Sequence, residues 1–506
     1  MSIRESRRHG HHADSAAGGS ESGTHPRQMN GDRPPMSSSP SLVDNPSTQV
    51  AESVRSTPQD DLEATEEFKM PPRSSLIIVI TANILLQMSF FVIVSSSSEY
   101  AQHLGGTPTF SGVVIGIPTL FSGLALIPML RYDGGGYNLP LHVCCGASIV
   151  GHVLYACAYR ANFLYLILIG RMVSGLAFTF WMYCKRYCSD ARIVGIRRRT
   201  TLASFLVMGQ GFGMSLGPFL GGVLYKIGFK NRVFNGFTSP GWLMAGVWAI
   251  FWLCVTLWYE DVPKEQAPLP PPAVQENSAE KTSEKDAANE VTVTRAQQDQ
   301  ESLSSSFFAM SWAQWGVVAC MCWFAMTCFF ILGAWESNLP VFGADSSDLN
   351  WSPFAAGNFI ALGGIAAFPF LLLNMYMAGR AQDRHILAFG SFLGLAALLT
   401  FLALLRSDKL TYPGVFMCWW AVALGFNLAS TAPVSLLSKQ LPPSWNGRTS
   451  LIIQYSYYTG RVTGAIWGGS GVKIGMMNYV GLEIAFVGIG ALLFMGLWRD
   501  LKAKTG

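Results

Sequence analysis

Twelve stretches of this chain are each apolar over the length, about 20 residues, that a helix needs to cross a lipid bilayer. The first six run from about Leu76 to Ser98, Phe110 to Leu130, Leu139 to Tyr159, Phe163 to Cys184, Leu202 to Tyr225 and Gly241 to Tyr259. The second six run from about Trp312 to Leu339, Pro353 to Met377, Ile386 to Leu405, Tyr412 to Leu437, Ser450 to Gly471 and Tyr479 to Trp498. Only 13% of the 506 residues are charged, against about 25% in soluble chains. The sequence therefore predicts an all-α membrane protein.

The polar segments divide it. Residues 1–73 are rich in Ser, Pro, Gly, Arg and His and contain no signal-type apolar region, so they read as a disordered cytosolic tail. Residues 74–260 form one six-helix half, 261–311 a flexible cytosolic linker with a Pro-rich start, 312–499 a second half, and 500–506 a short cytosolic tail. Lys and Arg concentrate in the loops after the fourth, eighth and tenth runs, including Arg192, Arg197, Arg198, Arg384 and Lys439. By the positive-inside rule, both termini are expected in the cytosol.

Inside the fifth run, Gly209, Gly213, Gly217 and Gly221 recur every fourth residue and share one helix face. Such a face lets a neighbouring helix approach closely. Pro218 removes one backbone N–H and predicts a bend, and Gly222 extends the motif. Gly460, Gly464 and Gly468 repeat the spacing six runs later, which suggests a duplicated bundle.

Ionisable groups within a bilayer are costly, so each is a functional candidate. Glu336 lies toward the end of the seventh run and Glu99 at the end of the first; either carboxylate can serve proton coupling, or sit in interfacial water. Arg171 falls roughly 12 Å into the fourth run at 1.5 Å per residue, and Arg461 is similarly deep in the eleventh. Two buried arginines can clamp an anion or act as structural ties. Lys185 and Arg186 end the fourth run, as substrate contacts or as orienting charges. Gln87 and Asn358 are polar candidates for lining a cavity. Glu483 and Lys473 read as interfacial, and His142 and His152 as packing residues. The ten cysteines have no metal-ligand spacing. No catalytic triad, phosphate loop or nucleotide fingerprint occurs, so no enzyme, metal site or cofactor is expected, and no basic aromatic-laced cluster suggests nucleic acid.

The string GQGFGMSLGPFLGG at Gly209 to Gly222 resembles the fifth-helix motif of the major facilitator superfamily, and GRMVSG at Gly170 to Gly175 its fourth-helix motif. KRYCSD at Lys185 to Asp190, SGVVIG at Ser111 to Gly116, SPGWLMAGVW at Ser239 to Trp248, QDRHIL at Gln382 to Leu387 and GRVTGA at Gly460 to Ala465 resemble segments of the SPX-MFS branch. That branch comprises vacuolar phosphate transporter-like proteins; weaker resemblance reaches lysosomal relatives. The branch's N-terminal SPX domain has no counterpart in the polar tail. The resemblance implies twelve helices in two six-helix halves. It implies a monomeric secondary transporter in a vacuolar or lysosomal type of membrane, with the plasma membrane as alternative. A small solute, such as an inorganic or organic anion, would cross by alternating access, with Arg171, Lys185, Arg186, Glu336 and Arg461 as transport residues. A channel-like or non-transporting sensor on the same scaffold is the competing class.

Overall fold

The computed structural model describes residues 68–262, 311–377, 382–441 and 446–502, all within one compact unit, Thr57–Gly506. Residues 1–67 of the expected tail, 263–310 of the expected linker and the last four residues lie outside the described ones. The helices are α1 (Arg73–Phe91), α2 (Ser97–His103), α3 (Pro108–Tyr132), α4 (Asn138–Ala161), α5 (Leu164–Phe178), α6 (Phe180–Ser189) and α7 (Ile196–Ile227). They continue with α8 (Ser239–Trp258), α9 (Trp312–Asp345), α10 (Pro353–Met377), α11 (Asp383–Ser407), α12 (Tyr412–Gln440), α13 (Asn446–Ile474) and α14 (Met476–Gly496). Among the described residues there is no strand.

Ten spans, counting α5 and α6 as one, are long and apolar enough to cross a membrane. The other two expected spans, α7 and α13, are 32 and 29 residues long but carry more Gly, Ser, Thr and Arg; they are the glycine-seam helices.

Three run boundaries shift for local reasons. The first run stops at Phe91 and turns through Val92–Ser96 before α2; Ser95 and Ser96 lie in that turn, where serine is better tolerated than in a helix interior. The fourth run breaks at Thr179, whose hydroxyl donates to the Leu176 carbonyl, and then continues to Ser189. The seventh run passes Pro340 and ends only at Asp345. Pro340 has no N–H to offer the carbonyl of Glu336, one turn earlier. Glu336 thus sits inside a 34-residue helix, not near its end.

Packing repeats between the halves. α1 packs on α7 as α9 packs on α13, and α4 on α5 as α11 on α12. The α4–α5 crossing brings Gly151 and Gly170 into backbone contact, a Cβ on Gly170 falling 2.7 Å from the Gly151 carbonyl. Gly390 and Gly425 do the same for α11–α12 at 2.5 and 2.6 Å. The halves meet through α3 on α13 and α7 on α10.

The expected glycine face is turned to α1. A Cβ at Gly213 would lie 2.7 Å from the Ile84 carbonyl, and one at Gly217 would lie 2.7 Å from Phe91 Cβ. Gly209 faces Ile84, and Gly221 presses on the Val92 carbonyl at the turn after α1. Gly222 points elsewhere, toward Phe354 and Pro353 of α10. Helix α7 continues through Pro218, whose carbonyl meets Gly357 of α10. The second seam sets Gly460, Gly464 and Gly468 against the Met326, Phe330 and Ala334 carbonyls of α9.

At the end where α3 meets α4, Asp133 pairs with Arg186 at 2.9 Å and accepts the Tyr183 hydroxyl at 2.9 Å. Asp383 pairs with Lys439 at 2.6 Å at the corresponding loop of the second half. Asp190 accepts the Tyr137 hydroxyl at 2.8 Å and pairs with Arg192 at 2.6 Å. Burial works against the Asp190 charge, but the Arg192 guanidinium, its backbone N–H and the Tyr137 hydroxyl outweigh it and hold the carboxyl below its ordinary value.

Two outcomes are expected. Gly217→Leu overpacks the α1 seam and should cost about 1–3 kcal/mol, seen as a lower melting temperature in detergent; Gly246→Leu, where nothing lies within 4 Å, should melt like the parent. Because the Asp190 value is depressed on folding, its contribution is full above the ordinary carboxylate range and is lost as pH falls below that range, through the lower folded-state value. Hydrogen exchange at residues 190–195 should therefore accelerate at acid pH in the parent, and be fast and insensitive to pH in Asp190→Asn after correction for intrinsic rates.

Candidate functional site

The glycines that close the helix crossings also seat the buried charges. Gly170 lies against α4 and Gly175 against α3, a Cβ on the latter falling 2.6 Å from the Pro118 carbonyl. Arg171, between them, is driven inward and is 1% exposed. Its Nε donates to the Val114 carbonyl and its Nη1 to the Ser89 carbonyl, each at a long 3.4 Å, while Nη2 has no partner. No carboxylate pairs with it among the described residues. Phe90 and Phe178 cover the guanidinium at 5.7 and 5.6 Å.

Arg461 is seated the same way by Gly460 and Gly464. It forms a buried ion pair with Glu336 of α9. Around that pair, Ser337 donates to the Gly333 carbonyl at 2.7 Å and Asn338 to the Gly468 carbonyl at 2.9 Å. The Arg461 guanidinium also lies over Phe90, 4.8 Å from the ring centre, and over Phe91 at 5.5 Å. Two guanidinium groups, one from each half, thus rest against the single ring of Phe90.

Of the two roles open to the buried arginines, anion clamp or structural tie, Arg461 is seen tied to Glu336. Arg171, by contrast, has no acid partner among the described residues and its Nη2 is unpartnered. Glu336 is not at the water interface: it is 3% exposed. Lys185 and Arg186 lie about 20 Å further along the α5–α6 span, at 1.5 Å per residue. Lys185 is exposed, and Arg186 is bound to Asp133 with the Tyr137 ring at 5.6 Å. Neither is brought to the buried pair. Gln87 is half-buried beside Gly213. Asn358 is half-buried with its Oδ1 unpartnered. Glu99 accepts the Tyr225 hydroxyl at 2.5 Å and lines a pocket of about 930 Å³ between the halves, with Ser95, Thr109, Asp345, Trp351 and Lys473. Asn83 bridges α1 and α7 by donating to the Leu206 carbonyl at 2.9 Å.

Sequence reading missed two things. Phe90 is one aromatic among many in an apolar run, and nothing marks it as the surface both arginines share. Glu483, read as interfacial, is fully buried and accepts the Trp335 indole N–H at 2.9 Å.

The model of the Major Facilitator Superfamily matches residues 79–465. An uncharacterized MFS-type transporter of Schizosaccharomyces pombe is 32% identical over 86% of this chain and 84% of its own length. An SPX domain-containing membrane protein of Arabidopsis thaliana is 33% identical over 39% of this chain and 29% of its own. Among solved structures, a D-xylose-proton symporter superposes with a TM-score of 0.64 at 13% identity, covering 86% of this chain and 99% of that one. A peptide transporter in complex with sulfate gives 0.61 at 13% identity, covering 88% and 100%. At such identity the solved structures speak for the fold alone.

Removing one member of a buried ion pair leaves a charge without compensation, at a cost of about 3–5 kcal/mol. Arg461→Met alone should lower the melting temperature in detergent sharply. Adding Glu336→Gln should recover most of the loss, because the orphaned charge is then gone. A double variant as unstable as the single one would show that the pair is not what holds α9 to α13 there.

Proposed function

The chain belongs to the major facilitator superfamily, and from that premise we propose that it carries a small anion across its membrane by alternating access, coupled to a proton held at Glu336. The observation that carries this reading is the unequal state of the two arginines at Phe90. Arg171 is buried, charged and one donor short of partners. Arg461 is cancelled by Glu336.

A proton arriving on the Glu336 carboxylate removes the counter-charge and frees the Arg461 guanidinium. Two cations from opposite halves then face a common space, which suits an anion with several acceptor oxygens. Loss of the proton restores the pair and expels the anion. Anion and proton therefore load and leave together. The close α3–α13 and α7–α10 contacts are the surfaces on which the halves rock, and Glu99 lines the pocket at the far mouth. Lys185 and Arg186 act at the opposite end, Arg186 by locking the α3–α4 loop. Crossing by α7 and α13 completes twelve spans; both are long enough for a core about 30 Å thick. Arginine-rich loops favour cytosolic termini. The motif resemblance to the SPX-MFS branch makes a vacuolar-type membrane and phosphate the first membrane and the first anion to test. The chain acts as a monomer in lipid.

Phosphate uptake into proteoliposomes, with an acidic exterior, tests this. Saturable uptake that collapses with the pH gradient is expected. A charge-assisted hydrogen bond is worth about 1.5–3 kcal/mol, so Arg171→Ala should weaken apparent affinity at least about tenfold, and Arg171→Lys should recover only part. Absence of gradient-driven uptake of phosphate, sulfate and organic anions by the parent overturns the reading.

A further inference from the structure

Three acids are buried among the described residues: Asp383, Glu336 and Glu483. Asp383 pairs with Lys439 and Glu336 with Arg461. Glu483, the most deeply buried, has no cation among the described residues. It sits in the second turn of α14, where Oε2 accepts the Trp335 indole N–H and Oε1 has no partner. The Tyr479 hydroxyl, one turn earlier on the same face, is buried as well; it makes no hydrogen bond of full geometry but lies close enough to interact with the Glu483 carboxyl, and it brings no positive charge.

The surroundings supply no other charge. α9 presents Trp335, and its Glu336 is turned to Arg461. α13 presents Trp467, whose indole donates to the Tyr479 carbonyl at 3.3 Å; its Arg461 is paired and its Lys473 is exposed. α11 carries Asp383, Arg384, His385 and Arg406 only at its ends. α12 contributes Trp419, stacked on Trp335 at 6.2 Å, and its Lys439 is held by Asp383. A bare carboxylate at this fully buried place has no counter-ion among the described residues to stabilise it.

We propose that Glu483 is a second proton carrier of the transport cycle, holding a proton in the state described here and releasing it to water in another. This rests on the reading of the chain as a transporter. Trp335 and Glu336 are consecutive on α9, so a movement of α9 that parts Glu336 from Arg461 also draws the indole from Glu483. Water then reaches the carboxyl. The proton passes to a water molecule as hydronium, and the carboxylate that remains is hydrated until the movement reverses.

Glu483→Gln keeps the volume and an acceptor for Trp335 but cannot titrate. Parent and variant are compared in proteoliposomes with labelled phosphate, in exchange without a gradient and in accumulation driven by a pH gradient. Accumulation relative to exchange should fall at least about tenfold in the variant. A ratio equal to the parent's overturns the proposal, since a structural Glu483 predicts it. A parent that shows neither exchange nor accumulation of phosphate, sulfate or organic anions overturns the transporter reading and this proposal with it. Infrared difference spectra on a pH jump give a readout independent of flux: a protonated-carboxyl band should be lost in Glu483→Gln, and its persistence counts against the assignment. Should the variant not insert, Trp335→Phe leaves the acid in place without its donor and should shift the pH midpoint of accumulation; an unshifted profile overturns the proposal.

Discussion

Backbone-to-backbone contact at glycine is the interaction on which the bundle depends. Lipid tails are as apolar as leucine, so burying one helix face on another gains little from water release, and close van der Waals packing has to do the holding. Gly213 and Gly217 bring α7 onto α1, and Gly460, Gly464 and Gly468 bring α13 onto α9. The same closeness decides where charge goes. Arg171 and Arg461 each follow a glycine pressed into its neighbour, and neither guanidinium can turn to lipid or to water.

The packing repeats between halves, but the chemistry does not. Gly151 with Gly170 and Gly390 with Gly425 make equivalent crossings, and Asp133–Arg186 has its counterpart in Asp383–Lys439. The buried charges break the repeat. Among the described buried residues, the first half holds a cation with no acid, and the second holds a matched pair plus an acid with no cation. The two halves are thus alike in packing and unlike in charge.

The fold was readable because its determinants are local. Apolar run length sets the helices, and fourfold glycine spacing gives a face that does lie on α1. Boundaries failed where side chains compete with the backbone, at the serines after Phe91 and at Thr179, or where a helix tolerates proline, as at Pro340. The site was half readable. That Arg171, Glu336 and Arg461 are expensive in lipid follows from residue type and depth. Which acid meets which base does not, because Glu336 and Arg461 are far apart in sequence and joined only by the α9–α13 crossing. Glu483 looked interfacial because it is few residues from a loop, yet it is fully buried, with Trp335 and Tyr479 against it.

The spare charge of Arg171 has an electrical consequence. With Arg461 cancelled by Glu336, the empty core carries one uncompensated positive charge in the described region. A charge displaced through the field of a membrane contributes about 2.3 kcal/mol per elementary charge per 100 mV, scaled by the fraction of the field it crosses. In the proposed cycle the anion arrives with a proton on Glu336, so a monovalent anion leaves that count at one, whereas a divalent anion brings it to zero. On that reading the charge carried by the substrate decides whether the loaded form still feels the membrane potential.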